Sequence, residues 1–214
     1  MARVQKTSAA SWIPEAYDLV TLRAAAAACK GCGLYEHATQ VVFGAGPRDS
    51  KVVMVGEQPG DEEDRKGEPF VGPAGRILNK AMREAELDRE RIYVTNAVKH
   101  FKFVERGKRR MHAKPNGAEI SACRPWLEAE LAAIEPELLV CLGATAAQSL
   151  MGRDFRITSE RGKFFPHHWA KELVATVHPS AILRAQERYD EEYELFVRDL
   201  RLIAARIKQL ERAG

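Results

Sequence analysis

The chain of 214 residues has no apolar run near the roughly 18 residues that a membrane span requires, and Met1 to Ile13 lack the apolar core of a secretion signal. A cytoplasmic location is expected. Cysteine is scarce: four residues do not make a disulfide scaffold, and in a reducing compartment the CxxC pair Cys29 and Cys32 points to metal or redox chemistry. Charge of one sign is lacking too. With 33 Lys and Arg against 30 Asp and Glu the net charge is only +3, so attraction to a polyanion has to come from local clustering. There is no internal repeat, no low-complexity segment and no oligomer signature, so a monomer is expected.

What is present is a core. Apolar residues make up 45% of the chain, enough for a single domain over residues 1–214, with 1–16 expected as a loosely ordered tail. Four short runs read as strands: Lys51 to Val55, Arg91 to Thr95, Leu138 to Leu142 and Leu173 to Val177. They are hydrophobic almost throughout instead of alternating, which implies burial on both faces. That predicts an α/β fold of three layers, α/β/α, around a central, mainly parallel four-stranded sheet.

Helical periodicity fills the gaps. Leu78, Ala81, Met82 and Ala85 share a face; so do Leu127, Leu131 and Ile134; and Phe196, Leu200, Ile203, Ile207 and Leu210 mark a long amphipathic helix near the C-terminus. A helix over Tyr17 to Ala28 delivers Cys29 and Cys32 into the turn at Gly33. Phe101 to Ala118 reads as the longest irregular stretch, a length at which loops in compact domains are usually functional or disordered.

In open α/β sheets, ligands sit beyond the carboxyl ends of the strands. Here those ends carry Gly56-Glu57-Gln58-Pro59-Gly60, Asn96, Gly143-Ala144-Thr145 and His178-Pro179-Ser180, so acid, amide and imidazole converge on one edge. Glu57 sits in a sharp turn between glycines, where backbone N–H groups can approach a ligand. Taken alone such a turn is common punctuation, and Phe70 in Pro69-Phe70-Val71-Gly72 is by itself more often core than a stacking ring. From Lys99 to Lys114 there are seven Lys or Arg residues against one acid, Glu105, a phosphate-binding density interleaved with Phe101 and Phe103. The bland alternative is a solvated basic loop, with His112 an exposed imidazole at its end.

Two cysteines at CxxC spacing and Cys123 downstream provide three thiolates for a cluster or a zinc ion. For a fourth ligand the residues leave two candidates. Cys141 has the better chemistry for iron but lies within an apolar run, where a free Cys behaves as a core residue. His100 lies in a polar segment.

The ordered set GEQPG, EPFVGPAGRIL, YVTNAVKHFKF, GKRRMH, ACRPWLEAEL, LLVCLGATAA and TVHPSAIL resembles the uracil-DNA glycosylase superfamily over about Cys29 to Leu183. The resemblance is closest to the iron–sulfur family-4 branch and, within it, to the X-type members (UdgX) that trap themselves covalently on DNA. It implies one 4Fe-4S cluster held by Cys29, Cys32, His100 and Cys123, with His100 where ordinary family-4 enzymes have cysteine. It implies a partner, uracil-containing DNA, single-stranded as well as duplex. It implies His112 as the residue that attacks the sugar, on a loop inserted relative to ordinary family-4 enzymes, with Met111 where the X-type members have Ile. Lys108, Arg109 and Arg110 are expected on DNA. Glu57 and His178 are expected as the other catalytic groups, and Gly56, Gln58, Asp61, Phe70, Asn96 and Ser180 around the substrate. The same residues admit two rival functions: a hydrolytic family-4 glycosylase with turnover, in which His112 is a bystander, and a non-catalytic DNA-binding module stapled by zinc.

Overall fold

A computed structural model describes residues 8–213. A 3-10 turn at Ala9–Trp12 and helix α1 (Leu19–Ala26) precede strand β1 (Val52–Gly56). Helices α2 (Asp61–Lys66) and α3 (Pro73–Glu84) lead to β2 (Ile92–Asn96). Strands β3 (Phe103–Arg106) and β4 (Arg109–His112) come next, then α4 (Gly117–Ile134), β5 (Leu138–Leu142) and α5 (Ala144–Met151). The remainder is α6 (Ile157–Glu160), β6 (Phe164–His167), β7 (Ala170–Thr176), α7 (Pro179–Leu183) and α8 (Tyr189–Ala213).

The main sheet has five strands in the order β2-β1-β5-β7-β6. The four expected from hydrophobicity run parallel to one another, and β6 adds an antiparallel edge to β7. That fifth strand corrects the expectation of four. It carries Pro166, which cannot donate to a ladder and is tolerated at an edge.

Successive strand residues point to opposite faces, and both faces are covered. Val52, Met54, Ile92, Val94 and Val140 pack with Leu78, Met82, Phe196 and Leu200 of α3 and α8. Val53, Val55, Leu139 and Cys141 pack with Leu127, Leu131, Ala146 and Ala147 of α4 and α5. Cys141 is fully buried there, which accounts for its place in an apolar run. A third apolar cluster forms on the outer side of α4, where Trp126 meets Leu22, Ala26, Phe43 and both cysteines of the CxxC pair.

Of the stretch expected as a loose tail, residues 1–7 lie outside the described residues. Ala9 is buried, packed in the cluster around Trp126. The stretch read as irregular holds a β-hairpin: β3 and β4 pair antiparallel across a two-residue turn in which Gly107 has φ +60°. Helix α4 starts from a reciprocal cap, Asn116 with Glu119, and ends at Glu135 in the left-handed region. No helix among the described residues is long and apolar enough to cross a membrane.

Candidate active site

From β1 the chain runs outward to β2 and later returns to β5 on the other side of β1, so the strand order reverses between β1 and β5. Such a reversal opens a crevice at the carboxyl ends of the strands. An open cleft of about 820 Å3 lies there, lined among others by Glu57, Phe70, Asn96, His112, Thr145 and His178.

Gly56 closes β1 and is what lets the cleft form. A Cβ there would collide with Asn96 Oδ1 and stand 2.8 Å from Phe70 Cζ. Phe70 has φ +57°, an uncommon conformation for a side-chain-bearing residue, and its ring lies 6.3 Å from that of His178 at 30°. Asn96 is buried beside Gly56 and Phe70.

Glu57 is the hub. His112 Nε2 lies 3.3 Å from its Oε1, and the Thr145 hydroxyl donates to its Oε2. Burial pushes the Glu57 carboxyl up, but hydrogen bonds from His112 and Thr145, together with the nearby His112 and His178 imidazoles, bring it below the ordinary carboxylate value.

His178 caps α7. The Ser180 backbone N–H donates to its Nδ1 at 3.1 Å, and the Ser180 hydroxyl stands 2.8 Å from the same nitrogen. Burial pushes this imidazole down to about 4, with Glu57 opposing and Arg184 and His112 adding to the depression. His178 is therefore neutral at pH 7. With Nδ1 accepting, the hydrogen-bond network assigns the proton to Nε2, which makes that atom a donor.

The hairpin carries His112, half-exposed, into the same cleft. Its position is set by residues expected to have other roles. Gln58 and Asp61, expected at the substrate, border the cleft but spend their polar atoms on the hairpin. The Gln58 amide donates to the Lys102 and Ala113 carbonyls, each at 3.1 Å, and accepts from the Lys102 N–H. Arg110, expected on DNA, is held by Asp61 at 2.5 Å and Asp64 at 2.7 Å and lies over the rings of Phe101 and Phe103. Two carboxylates and two ring faces occupy the guanidinium, so Arg110 pins the hairpin to α2. Lys99, part of the basic run, is buried against Glu130, and Lys102 pairs with Glu119 at 2.9 Å. Arg106, Lys108, Arg109 and Lys114 remain exposed.

Three side chains that sequence reasoning passes over shape this edge. Thr145 reads in the sequence only as part of a strand end. Glu63 accepts from the Gly60 N–H at 3.1 Å and the Gly72 N–H at 2.7 Å, tying the Glu57 turn to the Phe70 turn; a Glu three residues into α2 is the available signal. Asp64, fully buried, accepts from the Thr39 N–H as well as from Arg110.

Cys29, Cys32, His100 and Cys123 line one small cavity beside the N-terminal half of α4, together with Trp126 and Gly31. A Cβ on Gly31 would come within 2.7 Å of Ala9, so glycine permits the N-terminal segment to close over the cysteines. Trp126 Nε1 and the Lys99 N–H each donate at 3.2 Å, to Cys29 Sγ and Cys123 Sγ respectively. Burial pushes the Cys123 thiol up to about 12 and raises Cys32 as well. It pushes His100 down to about 4, leaving a neutral imidazole able to ligate. Cys141 does not line this cavity. Among the described residues no three His, Cys, Asp or Glu side chains converge on a single-ion site. Three thiols and a neutral imidazole lining one cavity are a donor set that an iron–sulfur cluster can use.

The family model described as Uracil DNA glycosylase superfamily matches residues 43–201. A Type-4 uracil-DNA glycosylase of Thermotoga maritima is 40% identical over 159 residues, which is 73% of this chain and 78% of that protein. One of Archaeoglobus fulgidus is 38% identical over 174 residues, 78% of this chain and 83% of the relative. A third, of Sulfurisphaera tokodaii, is 36% identical over 163 residues, covering 72% of this chain and 71% of its own length.

Proposed function

The chain belongs to the uracil-DNA glycosylase superfamily, and on that premise we propose that it excises uracil from DNA and then joins the vacated sugar through His112, once per molecule. The relatives named Type-4 uracil-DNA glycosylase support the excision. The observation that carries the capture is that His112 stands 3.3 Å from Glu57 in the cleft that also holds Asn96, Phe70 and His178.

Uracil in a duplex must be unstacked at a cost of a few kcal/mol, or met in a single strand. Phe70 stacks on the extruded ring, and Asn96 reads its O4 and N3 edge, where cytosine presents the reverse pattern of donors and acceptors. Cleavage sends the electrons of the N1–C1′ bond to the base, giving a uracil anion and a sugar with oxocarbenium character. The neutral His178 meets uracil O2 through Nε2–H and stabilises the anion as it forms. Glu57, held ionised, faces the cationic sugar. The imidazole nitrogen of His112 that is free of Glu57 then supplies its lone pair to C1′, and the proton on the other ring nitrogen passes to Glu57 or to solvent. The exposed Arg106, Lys108, Arg109 and Lys114 hold phosphates and bring the strand to the cleft.

Family-4 members carry a 4Fe-4S cluster, and the residues that would hold one here are Cys29, Cys32, His100 and Cys123. When bound, it supplies a covalent tie between the N-terminal segment, the end of β2 and α4, because metal-binding free energy is also folding free energy.

The test is incubation with a uracil-containing single-stranded oligonucleotide followed by a denaturing gel. A heat- and detergent-stable band at protein-plus-DNA mass, absent in His112→Ala, is the expected result. Free abasic product formed over many turnovers would make this a hydrolytic glycosylase with His112 a bystander, and no reaction would overturn the excision itself.

A further inference from the structure

Glu57 stands at the reversal point of the sheet, just past the end of β1, and Thr145 stands across the crevice in the first turn of α5. The Glu57 backbone is fixed, since its carbonyl accepts from the Val98 N–H at 3.0 Å. What is left free is the side-chain torsion. A carboxylate has two equivalent oxygens and can rotate between them, so presenting one oxygen reliably to a partner requires a hold on the other. Thr145 provides it: the hydroxyl donates to Oε2, while Oε1 is the oxygen that His112 Nε2 faces.

Thr145 is itself well placed to be rigid. It is buried, β-branched and therefore stiff at its first side-chain torsion, and held by a helix that starts directly from the sheet at Gly143. Gly143, with φ +91°, brings α5 so near the His178 loop that an added Cβ would stand 2.9 Å from His178 Cβ. A hydroxyl at this buried position needs an acceptor, and the carboxylate is the acceptor it has.

We infer that Thr145 is a positioning residue: by holding Glu57 Oε2 across the crevice it aims Oε1 at His112 and at the sugar, and so sets the rate at which the deoxyribose carbon is captured. The inference rests on the proposed excision and capture. No bond to Thr145 forms or breaks in the reaction; its hydroxyl is spent on Glu57 Oε2 and acts through that carboxylate.

The titratable groups that face Glu57 are His112, from β4, and His178, at the head of α7. Thr145 is uncharged, so its removal changes Glu57 through the lost hydrogen bond and leaves both imidazoles in place. A donor to the ionised form favours that form. Without it the carboxyl takes up its proton at higher pH, and the acid limb of the pH–rate profile moves upward.

The experiment is single-turnover uracil release and adduct formation on a uracil-containing single-stranded oligonucleotide, measured from about pH 4.5 to 8 for the parent protein, Thr145→Val and Thr145→Ser, a window that spans the ordinary carboxylate and imidazole ranges. Val keeps the shape and removes the donor. The expected result is a rate lowered about tenfold at neutral pH and an acid limb displaced upward by about one pH unit, as loss of one hydrogen bond to a charged group implies. Ser, which restores the donor, returns both toward the parent. A Thr145→Val protein with the parent's rate and acid limb overturns the inference, as does a Ser variant that fails to rescue while melting at the parent's temperature. If Val does not fold, Thr145→Ala against Thr145→Ser reads the same limb. A parent that releases no uracil overturns the functional reading and the inference with it, whereas a parent that releases uracil beside a Thr145→Val protein with the same rate and acid limb overturns the inference alone, so the control tells the two failures apart.

Discussion

The two walls of the cleft are built by different means. On one wall, Glu57, Asn96, Thr145 and the His178 loop lie just beyond or at the ends of parallel strands whose residues are buried on both faces. On the other, His112 ends a two-stranded hairpin with most of its residues exposed. An isolated hairpin is marginally stable in water, and this one is held by Gln58 at its root and Arg110 at its middle. The groups proposed to recognise and release a base are thus fixed by the core, whereas the candidate nucleophile is fixed by a few polar ties. Capture should therefore be separable from excision by mutation.

The largest effect is expected where both walls depend on one group. His178→Ala removes the proposed donor to the leaving base and should slow uracil release by about 10²–10³-fold, with adduct formation slowed in proportion. Single-turnover kinetics read both. A variant that kept release and lost only the adduct would break the division of labour proposed for the walls.

Next comes the pin. Arg110→Ala leaves Asp64 buried without its cation and should lower stability by about 1–3 kcal/mol, while cutting adduct yield more than uracil release. Thermal melting and the gel together test this. Equal losses in release and adduct would mean that the hairpin and the strand ends are one rigid unit.

A smaller effect is in pH. His178 titrates near 4 in the fold against an ordinary 6.5. Between these values the unfolded chain binds more protons, so stability rises with pH; the contribution is fully present above 6.5 and is lost as pH falls toward 4. His178→Gln should flatten the dependence of the melting temperature on pH in that window. The smallest effect belongs to the exposed cations: Lys108→Ala or Arg109→Ala should weaken DNA binding regardless of sequence and reduce the salt slope by about one each.

The contrast between the walls also explains what the sequence discloses. Continuous runs such as Leu138 to Leu142 declare a doubly covered strand, and the residues just past each run form the ligand edge, so Glu57, Asn96 and His178 are legible as a group. The hairpin is not, because Gly107-Lys108-Arg109-Arg110 reads as charge and masks the pairing of Phe103 with His112. The edge strand at Phe164–His167 is hidden by Pro166. Arg110 resembles a phosphate ligand because its partners, Asp61 and Asp64, lie 49 and 46 positions earlier. Lys99 likewise meets Glu130 across 31 positions. Charge that is spent inside the fold and charge that is offered to a partner look alike until the chain is folded.

The most direct test of covalent capture is to count uracil released per protein molecule with uracil-containing DNA in large excess. A plateau at about one equivalent is predicted, reached as the adduct forms and abolished as a limit in a His112→Ser protein that still releases base. Uracil release that continues linearly past many equivalents in the parent protein would contradict it.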